Sequence, residues 1–161
     1  MNKNLLNDIL NDIRVELSDE FDMNFSRGGF FGSAWKNTLD GRKSHLQQSG
    51  KLRRSIRAKV SGSAVVFSSS EPYASIHNEG GEITVTRKMQ RFFWSQYYEQ
   101  GKRGAKAEMY KKLAIKRVGS TLKIPQRQFI GDHSKMRESI KKIVTENVER
   151  SAVTAFQKMN T

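Results

Sequence analysis

The chain has 161 residues, of which 36% are hydrophobic, with a mean hydropathy of -0.68 and a formal net charge of +13. That length suits one domain with a modest core, and the low apolar share predicts a core that is thin or shared with another subunit. There is no cysteine, which excludes a disulfide framework and thiolate chemistry. No apolar stretch reaches bilayer-spanning length, so a soluble protein without signal peptide or membrane partner, folding in a reducing cytoplasm, is expected.

The charge is uneven. Residues 1–22 carry two basic against six acidic side chains, a net -4, whereas residues 87–128 carry twelve Lys or Arg against Glu99 and Glu108, a net +10. Such a split suits either a polyanionic ligand or charge complementarity between neighbouring copies.

Asn2 or Asn4 can cap a first helix whose stripe is Leu6, Ile9, Leu10, Ile13 and Leu17, with Asp8, Asp12, Glu16, Asp19 and Glu20 on its solvated face. Asp19 and Glu20 fall near its expected end, where the helix dipole disfavours them and a basic neighbour is expected. From Asp22 to Lys43 the chain reads as loop, with turn signals at Gly28-Gly29, Gly32 and Asp40-Gly41. Phe25, Phe30, Phe31 and Trp35 in this stretch are read as plugging the core or a subunit contact. Stacking on bases would need a basic groove, and Arg27, Lys36, Arg42 and Lys43 are the local cations.

After a turn at Ser49-Gly50, residues 52–60 alternate, with Arg54, Ile56, Ala58 and Val60 on one face and Arg53, Ser55, Arg57 and Lys59 on the other. Ser61-Gly62-Ser63 and the apolar run Ala64 to Phe67 complete an expected hairpin. Ser69 or Ser70 then caps a short helix with Pro72 in its first turn, ended by Gly80-Gly81. Leu52, Ile56, Val66, Tyr73 and Ile76 are expected to be buried together, and Ile83 to Thr86 to form a strand.

Residues 87–118 read as an insertion of two helices joined by a Gly-Lys-Arg-Gly link. Its surface cations Lys102, Arg103, Lys106, Lys111, Lys112, Lys116 and Arg117 are candidate contacts to DNA or to a protein partner. A strand at Leu122 to Ile124 leads to a last helix, capped by Asp132 or Ser134, with the stripe Met136, Ile140, Ile143 or Val144, Val148, Ala152, Ala155 and Met159. The whole predicts a single α+β domain over 1–161. Segments near 52–60, 63–69, 82–86 and 121–124 form a small, mainly antiparallel sheet packed against the N- and C-terminal helices, and a basic helical insertion interrupts it.

No chemistry emerges. His45, His77 and His133 are far apart and lack metal-ligand spacing. His77 and Glu79 are two residues apart on a helix end and need not meet, so His77 is read as bonding a backbone turn and fixing the Gly80-Gly81 corner. Ser68-Ser69-Ser70 lacks a nucleophile elbow, and neither glycine pair has a phosphate-loop context. No catalytic residue, cofactor or metal is expected.

Order and spacing say more. Leu46, Ser49-Gly50, Leu52 and Ser55-Ile56, a strand pair, then Tyr73-Ala74-Ser75-Ile76-His77-Asn78-Glu79-Gly80-Gly81 resemble the tailed-bacteriophage virion-morphogenesis (tail-completion) family. A second block, Ile124 to Gly131 with Arg127 and Phe129, is similar to that family's "x-Pro-x-Arg-Pro-Phe-Leu-Gly", with Gln128 and Ile130 replacing the second proline and the leucine. Trp35 sits where members carry a tryptophan. The resemblance makes Leu46, Gly50, Leu52, Ser55, Ile56, Tyr73, His77, Gly80, Gly81, Arg127, Phe129 and Gly131 the structural motif. It implies a non-enzymatic assembly protein of a tailed phage or prophage, made in the host cytoplasm and ending in the virion. There it would complete the tail or join tail to head as a ring of copies, expected to be a hexamer, beside neck or tail proteins and around a DNA channel. The competing reading is a nucleic-acid-binding module whose residues 87–118 contact phosphates; it explains the charge but not the motif.

Overall fold

A computed structural model describes residues 3–37, 43, 46 and 49–159; the expected features at Asn2, Asp40-Gly41, Arg42 and His45 lie outside them. Helix α1 (Lys3–Arg27) runs further than its expected end. Ile9, Ile13, Leu17, Phe21 and Phe25 are all buried, and their unbroken four-residue spacing keeps one face on the core for two turns past Leu17. Asp19 and Glu20 are therefore inside the helix, not at its end, and Glu20 pairs with Arg27 at 3.4 Å. The supposed loop after Asp22 is thus partly helix. Gly28, at φ 67, stops it, and β1 (Gly29–Phe30) and β2 (Ser33–Ala34) form a minimal antiparallel ribbon.

The strand expected from residue 52 begins later. Lys51–Ser55 is a one-turn helix, α2, and β3 spans Ile56–Ser61. Leu52 and Ser55 are both buried. Three residues apart, they share a face of a helix but would point to opposite faces of a strand. β3 pairs with β4 (Ala64–Ser69) from Ile56↔Ser69 to Ser61↔Ala64, as expected, around a two-residue turn led by Gly62 at φ 61. Val65 and Phe67 point to the core, so Val66 is 49% exposed and not part of the expected buried set. Tyr73, 36% exposed at the N-cap of α3 (Ala74–Glu79), is not buried either. Ser69 caps no helix; its hydroxyl accepts from Glu71 N at 3.1 Å and meets the Ser55 hydroxyl at 2.6 Å.

β5 (Gly81–Thr84) pairs antiparallel with β6 (Thr121–Ile124), and between them lie α4 (Arg87–Glu99) and α5 (Gly104–Ala114), the two helices of the insertion. The fold is α+β, but among the described residues its strands form three separate two-stranded ribbons and do not join in one sheet. The ribbons serve different parts of the molecule, since β3–β4 lies on α1 whereas β5–β6 roots the insertion.

The last helix, α6 (Ser134–Met159), packs along α1. Its cap is neither Asp132 nor Ser134. The His133 ring stacks on Phe31 at 4.6 Å and its Nδ1 accepts from Lys135 N. Met136, Ile140 and Ile143 face the α1 core, and Asn147 ends that face by donating to Asp12 at 2.9 Å. Val144, Val148, Ala152, Ala155 and Met159, the other part of the expected stripe, are exposed.

Candidate functional site

The two motif blocks meet at a corner where α3 ends against residues 126–130. Arg127 N donates to His77 O at 2.7 Å, and Gln126 Nε2 donates to Asn78 O at 3.1 Å. The Asn78 side-chain oxygen accepts from both Phe129 N and Ile130 N at 3.0 Å. Gly80 has φ 73, and a Cβ there would lie 2.8 Å from Gln126 N, so only glycine permits this approach.

Phe129 then inserts between the other elements. Its ring lies 5.1 Å from Phe25, which in turn meets Trp35 edge-on at 5.8 Å, and Leu52 closes the cluster. Leu46, Ile56 and Ala74 pack against the same group. Trp35 Nε1 donates to Gln128 O at 2.7 Å, and the fully buried Asn24 bridges Phe31 N and Phe129 O at 3.1 Å each. Two of the four aromatic residues expected to plug the core, Phe25 and Trp35, thus meet the second motif block, whereas Phe30 and Phe31 belong to the other core cluster, on α1. Ser55 bonds back to Leu52 O at 2.7 Å, and Gly50, at φ 65, starts α2. Gly131, at φ 153, turns the chain towards α6.

Arg127 is buried and donates to Lys36 O and Asn37 O, both at 3.3 Å. His77 differs from the expected role. Its Nδ1 is buried with no hydrogen-bond partner among the described residues, and Asn78 ties the corner instead. Burial first, and the Arg127 charge second, hold the His77 pKa below its usual value. Asn24 and Asn78 are the residues the sequence reading missed. At the rim, Arg53 makes a two-pronged pair with Asp22, and that hydrogen bonding lowers the Asp22 pKa. The corner is a latch of backbone bonds and rings. Among the described residues there is no group of three or more His, Cys, Asp or Glu able to hold a metal.

The insertion stands apart as an arm. α4 and α5 pack on each other, with Phe93 stacked on Tyr110, and the buried Ala107, Leu113 and Ala114 belong to neither core cluster. Lys102 and Arg103 lie in the link, Lys106, Lys111 and Lys112 on α5, and Lys116 and Arg117 at the arm's root. These cations do not form one stripe; they span about 16 Å of helix from tip to root. None has an acidic partner within ion-pair distance among the described residues; Lys102 lies over the Tyr98 ring at 4.8 Å.

The profile of the phage virion morphogenesis family matches residues 6–149, from early α1 to well inside α6. The chain belongs to that family. No curated protein and no solved structure gave a significant match. Within this phage virion morphogenesis protein the matched region contains both motif blocks, the corner they form and the basic arm. Membership assigns it a structural role in building a phage particle and associates it with the virion. No helix of the described residues is long and apolar enough to cross a membrane.

Proposed function

We propose that this virion morphogenesis protein completes the tail, or joins tail to head, as one subunit of a closed ring, and that the role is structural and not enzymatic. Six copies, neighbouring neck or tail proteins, and assembly in the bacterial cytoplasm belong to the same proposal, for a phage or a prophage. The observation that carries it is the family match along nearly the whole chain. Surface area supports the ring. A compact monomer of 18.4 kDa exposes about 8,200 Å2, whereas this chain exposes 11068 Å2. The excess is of the order that a subunit hides when it meets a neighbour on each side, at about 800 Å2 per partner surface.

A second reading, favoured by the unpaired cations of the arm, is that residues 87–118 touch DNA phosphates, whether inside a ring channel or as a simple binding module. The mass of the purified protein at low and high salt separates the two. A ring subunit gives a discrete multimer that persists in high salt without nucleic acid. A binding module gives a monomer or dimer whose DNA affinity falls by about one log unit per log unit of salt for each phosphate contact. Changing Lys111, Lys112, Lys116 and Arg117 to Gln leaves fold and multimer intact and lowers DNA retention. A drop to monomer would make these residues assembly contacts and end the DNA reading.

A further inference from the structure

α6 carries a second apolar face. Val148 and Met159 lie about a third of a turn round the helix from the face that packs on α1, with Val144 nearer to that face and Phe156 about half a turn from it. Phe156 is 67% and Met159 82% exposed. Elsewhere on the same molecule, an open cleft of about 330 Å3 lies between α1, the tip of the β3–β4 hairpin and the start of α6. Ile13, Leu17, Ser63, Val65, Ile130 and Met136 line it, and every lining side chain is uncharged. A cavity of about 150 Å3 suffices for a benzene ring, so the cleft has room for a phenylalanine side chain.

We propose that the end of α6 of one copy, led by Phe156 and Met159, seats in this cleft of the next copy. This rests on the ring reading and names the two surfaces that make the contact. The ridge cannot fill its own cleft. Sixteen residues of continuous helix separate Ile140, in the cleft wall, from Phe156, a distance of about 24 Å. A ridge and a socket on different parts of one chain form a heterologous contact, which repeats head to tail and closes into a ring when the rotation permits. Such a contact uses two patches per subunit, and the exposed area above that of a compact monomer is roughly 2,900 Å2 against the roughly 1,600 Å2 that two standard patches require.

The absence of native cysteine makes introduced thiols unique. Under mild oxidation, Ser63→Cys mixed with Met159→Cys should yield a cross-linked dimer, and the double variant a ladder of covalent multimers. In parallel, Phe156→Asp with Met159→Asp should require roughly 100-fold more protein to assemble, from the loss of two buried apolar side chains. Monomer melting should not change, since both side chains are exposed there. Cross-linking of Met159→Cys alone would show paired α6 ridges and overturn the proposal. Multimeric protein without cross-links, or unchanged assembly of the Asp variant, would overturn it while the ring reading stands. A wild-type protein that stays monomeric by mass would end both.

Discussion

Replacing Asn24 by alanine strands two main-chain groups at once. Its side chain accepts from Phe31 N and donates to Phe129 O, each at 3.1 Å, and the residue is 0% exposed. Water cannot take over at either partner without opening the packing of α1 on the Phe129 segment. Each orphaned group costs about 1–3 kcal/mol, so the loss should be about 3–4 kcal/mol, a large part of a total stability of about 5–15 kcal/mol. For a chain of this length that lowers the melting temperature by roughly 10 °C, readable by circular dichroism at fixed protein concentration. Asn24→Asp should be at least as damaging, because it keeps the acceptor but sets a buried carboxylate against the Phe129 carbonyl. Asn11→Ala, at an exposed position of the same helix, should stay within about 0.5 kcal/mol of wild type. If Asn24→Ala melts within about 2 °C of wild type, the buried bridge does not hold α1 to the motif corner.

His77 gives a pH signature. Its folded pKa lies below the unfolded value of 6.5, so the unfolded chain takes up a proton that the folded chain refuses. Its contribution is present above pH 6.5 and is lost as pH falls towards the folded pKa. Denaturant titrations of wild type should show stability falling below pH 6.5, and His77→Phe should flatten that fall; an unchanged slope would remove His77 as its source. Phe129→Ala should cost about 3–5 kcal/mol, from the cavity left among Phe25, Trp35 and Leu52. Tyr73→Ala, at a 36% exposed site, should cost about 1 kcal/mol or less; equal losses in the two melting curves would contradict this division of the corner into core and rim.

Local pattern carried the sequence reading where it succeeded. The β3–β4 hairpin follows from alternation around Gly62, and the two helices of the arm follow from apolar spacing broken at Gly101 and Gly104. It faltered where two periods competed. Residues 52–60 alternate well enough for a strand, yet Leu52 and Ser55 needed one turn of helix to reach the same side. In the run Val65-Val66-Phe67 every residue is apolar, so strand register alone decides that Val66 faces out. The glycines at 28, 29 and 32 drew the end of α1 too early, although Phe21 and Phe25 continue its four-residue rhythm. Asn78 was illegible for a plainer reason. The amides that it accepts from lie 51 and 52 residues further along the chain, and nothing local marks an asparagine for partners at that distance.

The chain leaves for the arm and returns from it at one rung. Val85 N donates to Ser120 O and Gly119 N to Val85 O, both at 2.9 Å, directly beyond the Thr84↔Thr121 pair. To the rest of the fold, the thirty-odd residues between Val85 and Gly119, helices included, therefore count as a hairpin turn. Lengthening such a loop costs little, about 0.6 kcal/mol per doubling, and the latch around Phe129 does not depend on what the loop contains. The arm is a cassette. Its length and contents bear little on the scaffold that positions it, whose core clusters include none of its residues.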